Sequence, residues 1–316
     1  MTVQQIINQI NDHQSFLVVA HENPDGDAIG STLALSLALR EMGKDVVAFN
    51  VDTVPEAMRY LKGSDHFTQK LPNDAHFDVA FVLDSGEVRR TGLPVDQLCN
   101  TMINIDHHPH STFGDICYLD TDASATAVLI YRILVESGHV ISQDVAAALY
   151  LGILSDTGSF RYSSANEESF DIAGKLVSLG IDPWDTASHL YESYAPERMR
   201  LLGIVLPSLN VSDCGRFATM FMTMDDLKAA GALDEHADGF VNYPRAVRGV
   251  EVALFFNEVE QGHFKISLRS RGKIDVGNLA RQLGGGGHHN AAGAKISASV
   301  DVARKTVTDL LNKLLD

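Results

Sequence analysis

Residues 15–43 read SFLVVAHENPDGDAIGSTLALSLALREMG. Ser15–Ala20 is apolar after its first residue, as in a strand buried on both faces. Ala28–Met42 repeats apolar residues at helical spacing and is closed by Gly43. Between them stand His21, Asp25 and Asp27. A strand feeding a helix through such a turn is the unit of an open α/β sheet, whose ligands collect at strand carboxyl ends. The pattern returns twice, with Asp84 after Phe77–Leu83 and Asp106-His107-His108 after Thr101–Ile105.

Each residue has an ordinary role to set against this. Asp25 or Asp27 at the start of a helix can simply cap it, which accounts for one aspartate but not for His21 and two. Asp84 alone reads as a turn residue. A lone imidazole often satisfies a buried hydrogen bond, yet His107 and His108 stand together beside Asp106. Asp156, in Ser155-Asp156-Thr157-Gly158-Ser159, is equally well a helix-end residue or a fourth ligand. Oxygen and imidazole donors gathered in one crevice suit Mn²⁺ or Mg²⁺. The EF-hand pattern fails, because Ile29 occupies a ligand position and no glutamate closes the loop; a GxxxxGK[ST] phosphate loop is absent.

Further strands are expected at Asp45–Asn50, and helices at Ala125–Ser137, Gln143–Leu154 and Glu167–Leu179. This alternation predicts an α/β domain over residues 1–180, a mostly parallel sheet with helices on both faces. Residues 181–212, punctuated by Pro183, Pro196 and Pro207, read as a helical connector. Residues 213–316 read as a smaller α+β domain. Its strands are expected at Phe217–Thr223, Glu251–Asn257 and His263–Arg269, and its helices at Asp225–Ala230, Val276–Leu283 and Val302–Leu315.

The formal net charge of −16 argues against a coat for long nucleic acid, which needs clustered Lys and Arg. A short anionic substrate stays compatible with it, since bound cations reverse the local field. Residues 245–281 run against the acidic balance, with seven basic residues to four acidic. Cys99, Cys117 and Cys214 are unpaired by spacing, the N-terminus lacks a signal-peptide pattern, and no apolar stretch is long enough to span a bilayer. These features predict a cytoplasmic protein with no membrane partner. The run Gly284-Gly285-Gly286-Gly287-His288-His289-Asn290-Ala291-Ala292-Gly293 allows backbone N–H groups to approach a phosphate closely. A flexible hinge would need the glycines but not His288, His289 or the closing Ala-Ala-Gly.

Taken together, the motifs resemble the DHH phosphoesterase family, named for the triplet at Asp106-His107-His108, with Gly285–Gly293 matching the GGGHxxAAG signature of its DHHA1 partner domain. The resemblance spans nearly the whole chain and looks most like the compact nanoRNase/pAp-phosphatase branch. It implies two divalent metal ions, Mn²⁺ first and Mg²⁺ or Co²⁺ as substitutes. His21, Asp25 and Asp84 would hold one ion, and Asp27, Asp84, His107 and Asp156 the other. Asp84, Asp106 and His108 are the catalytic candidates: Asp84 bridges, Asp106 orients an imidazole, and His108 binds a phosphate oxygen. Arg269, Ser270, Arg271, Gly286, Gly287 and His288 would contact substrate, Arg271 being equally a solvated turn residue.

The activity so implied is hydrolysis of short oligoribonucleotides to mononucleotides and of 3′-phosphoadenosine 5′-phosphate (pAp) to AMP and phosphate, by in-line attack of water. Cyclic di-AMP or pApA is the nearest rival substrate, and a non-catalytic nucleotide-binding protein the rival class. An inorganic pyrophosphatase is disfavoured by the GGGH signature. Short RNA and small nucleotides are therefore the expected partners, and a homodimer is compatible with this layout.

Overall fold

The computed structural model describes residues 2–109, 111–287 and 289–315. The chain divides into two compact units, Met1–Ser193 and Tyr194–Asp316. The expected connector is shared between them: helix 183–191 belongs to the first unit and helix 196–205 to the second.

The first unit runs α1 (Thr2–Asp12), β1 (Ser15–Val19), α2 (Gly26–Glu41), β2 (Asp45–Phe49), β3 (Phe67–Thr68), β4 (Phe77–Leu83), β5 (Cys99–Asp106), β6 (Ile116–Leu119), α3 (Thr126–Glu136), α4 (Gln143–Asp156), α5 (Glu167–Ser178) and α6 (Pro183–Tyr191). Among the described residues its strands form one sheet in the order β3-β2-β1-β4-β5-β6, every pair parallel. This is an α/β fold of the doubly wound kind. The order reverses between β1 and β4, and such a reversal opens a crevice at the strands' carboxyl ends.

Why the strands are almost wholly apolar follows from what covers them. Phe16, Val18, Phe81 and Leu83 face a core built with α1 to α4, while Leu17, Val19, Ala80 and Val82 face a smaller one. The smaller face is covered by short single-turn helices, Val88–Thr91 and Val95–Gln97, and their loops. Helix α2 is buried almost all round because α4 lies directly against it. A Cβ on Gly30 would come within 2.5 Å of the Ala148 carbonyl oxygen, and one on Gly152 within 2.8 Å of Asp27 Oδ1. Glycine at both crossing points lets the two backbones touch.

The second unit comprises α7 (Pro196–Val205), β7 (Asn210–Val211), β8 (Phe217–Met222), α8 (Met224–Ala230), α9 (Asn242–Ala246), β9 (Val252–Glu260), β10 (His263–Ser270), α10 (Val276–Gln282), β11 (Gly286–Gly287), β12 (Ala291–Ser297) and α11 (Val300–Leu315). Among the described residues its sheet order is β11-β12-β10-β9-β8-β7, with β8 and β9 parallel and the other pairs antiparallel. Alternation along β9 sends Val252, Leu254 and Phe256 to one core and Ala253 and Phe255 to another, so this sheet too is covered on both faces.

Candidate metal centre

Strand β1 delivers His21 and strand β4 delivers Asp84, one on each side of the point where the strand order reverses. His21 is 6% exposed, and its Nδ1 lies 2.7 Å from the Glu22 carbonyl oxygen. A carbonyl can only accept, so Nδ1 carries the proton and the Nε2 lone pair is presented to the crevice. That nitrogen lies 3.8 Å from Asp84 Oδ2 and 3.9 Å from Asp25 Oδ1.

Asp25 is also the cap of α2, accepting from the Asp27 and Ala28 amides at 3.1 and 3.0 Å. The capping role and membership of the cluster coexist in one side chain. Asp27 lies inside the first turn of α2, fully buried, and accepts from the Thr126 amide at 2.5 Å and the Ala127 amide at 2.9 Å. Its carboxylate thus sits on the N-terminus of α3, where amide donors and helix dipole favour negative charge. Burial, with Asp84 and Asp156 nearby, nevertheless pushes its pKa well above the ordinary range.

Asp84 is 1% exposed and holds a left-handed backbone, φ +54°. Asp tolerates this conformation better than most residues, and here it is adopted where β4 ends. Oδ1 accepts from the Thr126 hydroxyl at 3.1 Å and lies 3.5 Å from His107 Nε2 and 3.4 Å from His108 Nδ1. Burial opposes its ionisation, but His108 and His107 outweigh burial and hold its pKa below the usual value.

His107 turns Nδ1 towards the Ala123 carbonyl oxygen, 3.2 Å away, which again fixes the proton there. Its buried Nε2 has no hydrogen-bond partner among the described residues, yet Asp156 Oδ2 lies 3.2 Å away and Asp27 Oδ2 4.0 Å away. In the metal-free protein burial would depress the imidazole pKa, but Asp156, Asp84 and Asp27 raise it to about 10. Asp156, the last residue of α4, is pushed up to about 6, chiefly by burial.

Asp106 does not face the cluster in the same way. Its Oδ2 accepts from the Gly86 amide at 2.6 Å, and its Oδ1 from the His108 amide and ring Nδ1 at 2.9 and 2.8 Å. Although burial acts against it, His108 holds this carboxyl well below the usual carboxylate range. The same partnership lifts His108 against burial to about 11.

Among the described residues, three groups could hold an ion, each with donor atoms within 4.8 Å of one another: His21, Asp25 and Asp84; Asp27, His107 and Asp156; Asp84, His107 and His108. They offer only carboxylate oxygen and imidazole nitrogen, the donors that suit Mn²⁺ or Mg²⁺. A buried imidazole nitrogen facing the carboxylates of Asp27, Asp84 and Asp156 is the arrangement a cation completes. The residues fit divalent metal.

The second unit brings Arg269, Ser270, Gly286 and Gly287 to one end of its sheet, since β12 pairs with both β10 and β11. Arg269 Nη1 donates to the Leu268 carbonyl at 3.0 Å, and Ser270 is buried. Arg271 commits Nε and Nη2 to the Arg245 carbonyl, so its guanidinium is tied to the protein. His288 lies outside the described residues. Sequence reasoning missed Thr126 and the Ala123 carbonyl, which steer Asp27, Asp84 and His107 largely through backbone atoms and leave no side-chain signal apart from one threonine hydroxyl.

A strand-end crevice lined by acidic and imidazole donors, with a second sheet domain downstream, defines a metal-dependent hydrolase class, and the family models agree. Residues 15–153 match the DHH family, N-terminal domain, and residues 216–313 the DHHA1 domain. The chain belongs to the DHH phosphoesterase family, metal-dependent hydrolases of phosphate esters. It is 34% identical over 304 residues to a Thermus thermophilus protein named bifunctional oligoribonuclease and PAP phosphatase NrnA, covering 94% of this chain and 89% of that one. The crystal structure of an exopolyphosphatase-related protein from Bacteroides fragilis matches with a TM-score of 0.93 and 30% identity, over 99% of this chain and 96% of that one. An exonuclease RecJ crystallised with manganese shares the fold at a TM-score of 0.51 and 14% identity, over 97% of this chain and 93% of that one.

Proposed function

We propose that this chain hydrolyses short oligoribonucleotides to mononucleotides and pAp to AMP and phosphate, using two divalent ions, manganese by preference. The observation that carries the reading is Asp84, whose two oxygens face different imidazoles: Oδ2 lies 3.8 Å from His21 Nε2 and Oδ1 3.5 Å from His107 Nε2. A carboxylate so placed serves two ligand groups at once. His21 and Asp25 would join it on one side, and Asp27, His107 and Asp156 on the other. The Thermus thermophilus relative is named for both activities, and the RecJ structure holds manganese; these support the substrate class and the metal.

Ions bound there would lower the pKa of a water and screen charge on the phosphoryl oxygens. Protein side chains fix everything around that event. Asp106 locks His108 through its amide and its ring Nδ1, so the imidazole keeps its proton and one orientation. A cationic imidazole held this way is suited to a non-bridging phosphate oxygen, where negative charge develops. Arg269, Ser270, Gly286, Gly287 and His288 are the proposed contacts to the nucleotide in the second unit; Arg271 is the weaker candidate, because its Nε and Nη2 are tied to the Arg245 carbonyl. No side-chain nucleophile is required, and no covalent intermediate is expected.

Initial rates with the purified full chain and Mn²⁺ on pAp, pApA, di- to pentaribonucleotides, a long RNA and cyclic di-AMP test the reading. The short linear substrates and pAp are expected to turn over fastest. Faster turnover of cyclic di-AMP would reverse the substrate order, and turnover of none would leave a nucleotide-binding protein.

A further inference from the structure

Arg90 stands at the mouth of the same crevice and has no assigned role. Its backbone carbonyl accepts from the Glu22 amide at 2.6 Å, directly after the candidate ligand His21. Its Nη1 lies 3.3 Å from the Ser85 carbonyl oxygen, directly after Asp84. The guanidinium leans over the Ser85-Gly86 turn, where a Cβ built on Gly86 would meet Nη1 at 3.9 Å. Gly86 is itself the residue whose amide pins Asp106. Arg90 is therefore wedged between the two strand ends that flank the reversal of strand order.

What sets it apart is its charge balance. Neighbouring Arg89 pairs with Glu87 in solvent, whereas Arg90, half-buried in a chain of net charge −16, makes no ion pair among the described residues. Beyond the one Ser85 contact, its other donors find no partner among the described residues. A permanent positive charge beside a cation site weakens cation binding, so the placement needs an anion to offset it. The planar fork of a guanidinium matches two phosphate oxygens, and Arg keeps its charge at any working pH.

We propose that Arg90 binds substrate, holding a phosphate oxygen of the nucleotide beside the Asp84 cluster. This rests on the phosphoesterase reading but is tested apart from turnover. AMP is titrated calorimetrically into the Mn²⁺-loaded full chain and into R90A, R90Q and R90K, with Mn²⁺ affinity and melting temperature measured for each. R90A and R90Q are expected to bind AMP about tenfold or more weakly, as for a lost charge-assisted hydrogen bond, with R90K in between. R90Q retains an amide that can donate to the Ser85 carbonyl, so it should melt like the parent, and with the positive charge removed it should bind Mn²⁺ at least as tightly. The proposal is overturned if R90Q binds AMP as the parent does, if R90Q loses Mn²⁺ affinity, or if the parent does not bind AMP. A parent that binds AMP through Arg90 yet hydrolyses no nucleotide would sink the hydrolase reading and leave this one standing.

Discussion

Asp84 is asked to do two things that few residues combine: to take a left-handed backbone and to stay ionised while buried. Asparagine accepts the same backbone but offers one neutral oxygen. Asp84→Asn should keep the fold and lower Mn²⁺-dependent hydrolysis of pAp by more than about 100-fold, the upper range seen when even a support of a metal ligand is lost. The rise in melting temperature on adding Mn²⁺ should shrink in parallel. An Asn variant that hydrolyses pAp at the parent's rate would refute a role for both oxygens. Protons report on the same cluster. The metal-free protein holds His107 protonated up to about pH 10 and Asp156 up to about pH 6, and a metal needs both deprotonated. Binding at pH 7 to 8 should therefore release protons, and affinity should fall further as pH drops through 6. Titrations in buffers of different ionisation enthalpy check this; a buffer-independent heat would contradict it. The clustered acidic and imidazole residues were legible because each ends or follows an apolar run. Arg90 was not, because its place depends on a backbone contact to Glu22, far away in sequence.

The contact between α2 and α4 sets where Asp27 and Asp156 stand relative to each other. A methyl at Gly152 would lie 2.6 Å from the Ala127 Cβ and 2.8 Å from Asp27 Oδ1. Gly152→Ala should cost about 1–3 kcal/mol by overpacking and weaken Mn²⁺ binding, measured by urea unfolding and metal titration. Gly174→Ala in α5, where a Cβ meets nothing within 4 Å, should instead gain roughly 0.5–1 kcal/mol from helix propensity. Equal effects at the two sites would remove the steric argument. The buried strands and α2 were readable from apolar runs and helical spacing. β12 was not, since AAGAKIS is small-residue sequence that reads as a loop until β10 supplies its partner. β6 is four half-buried residues at a sheet edge, too short to signal itself, and α1 buries Ile6, Ile7 and Ile10 within an otherwise polar terminus.

For the whole molecule, the charge of −16 means that affinity for nucleotides must come from a few local contacts. With one or two phosphates engaged, the slope of log affinity against log salt should be shallow, about −0.7 per phosphate for single strands. The KM for pApA should then change by less than about tenfold between 50 and 200 mM salt. A steep dependence would indicate a longer basic track than the described residues contain. No helix among the described residues is long and apolar enough to cross a membrane.

The Asp27 carboxylate, gripped by the amides of Thr126 and Ala127 across about a hundred residues of sequence, also orders events in time. During synthesis the His21–Asp27 turn leaves the ribosome long before α3 and α4 exist to receive it. A nascent chain shorter than 156 residues has no complete Asp27–His107–Asp156 group. Any ion taken up by that group would therefore have to wait until α4 has been made.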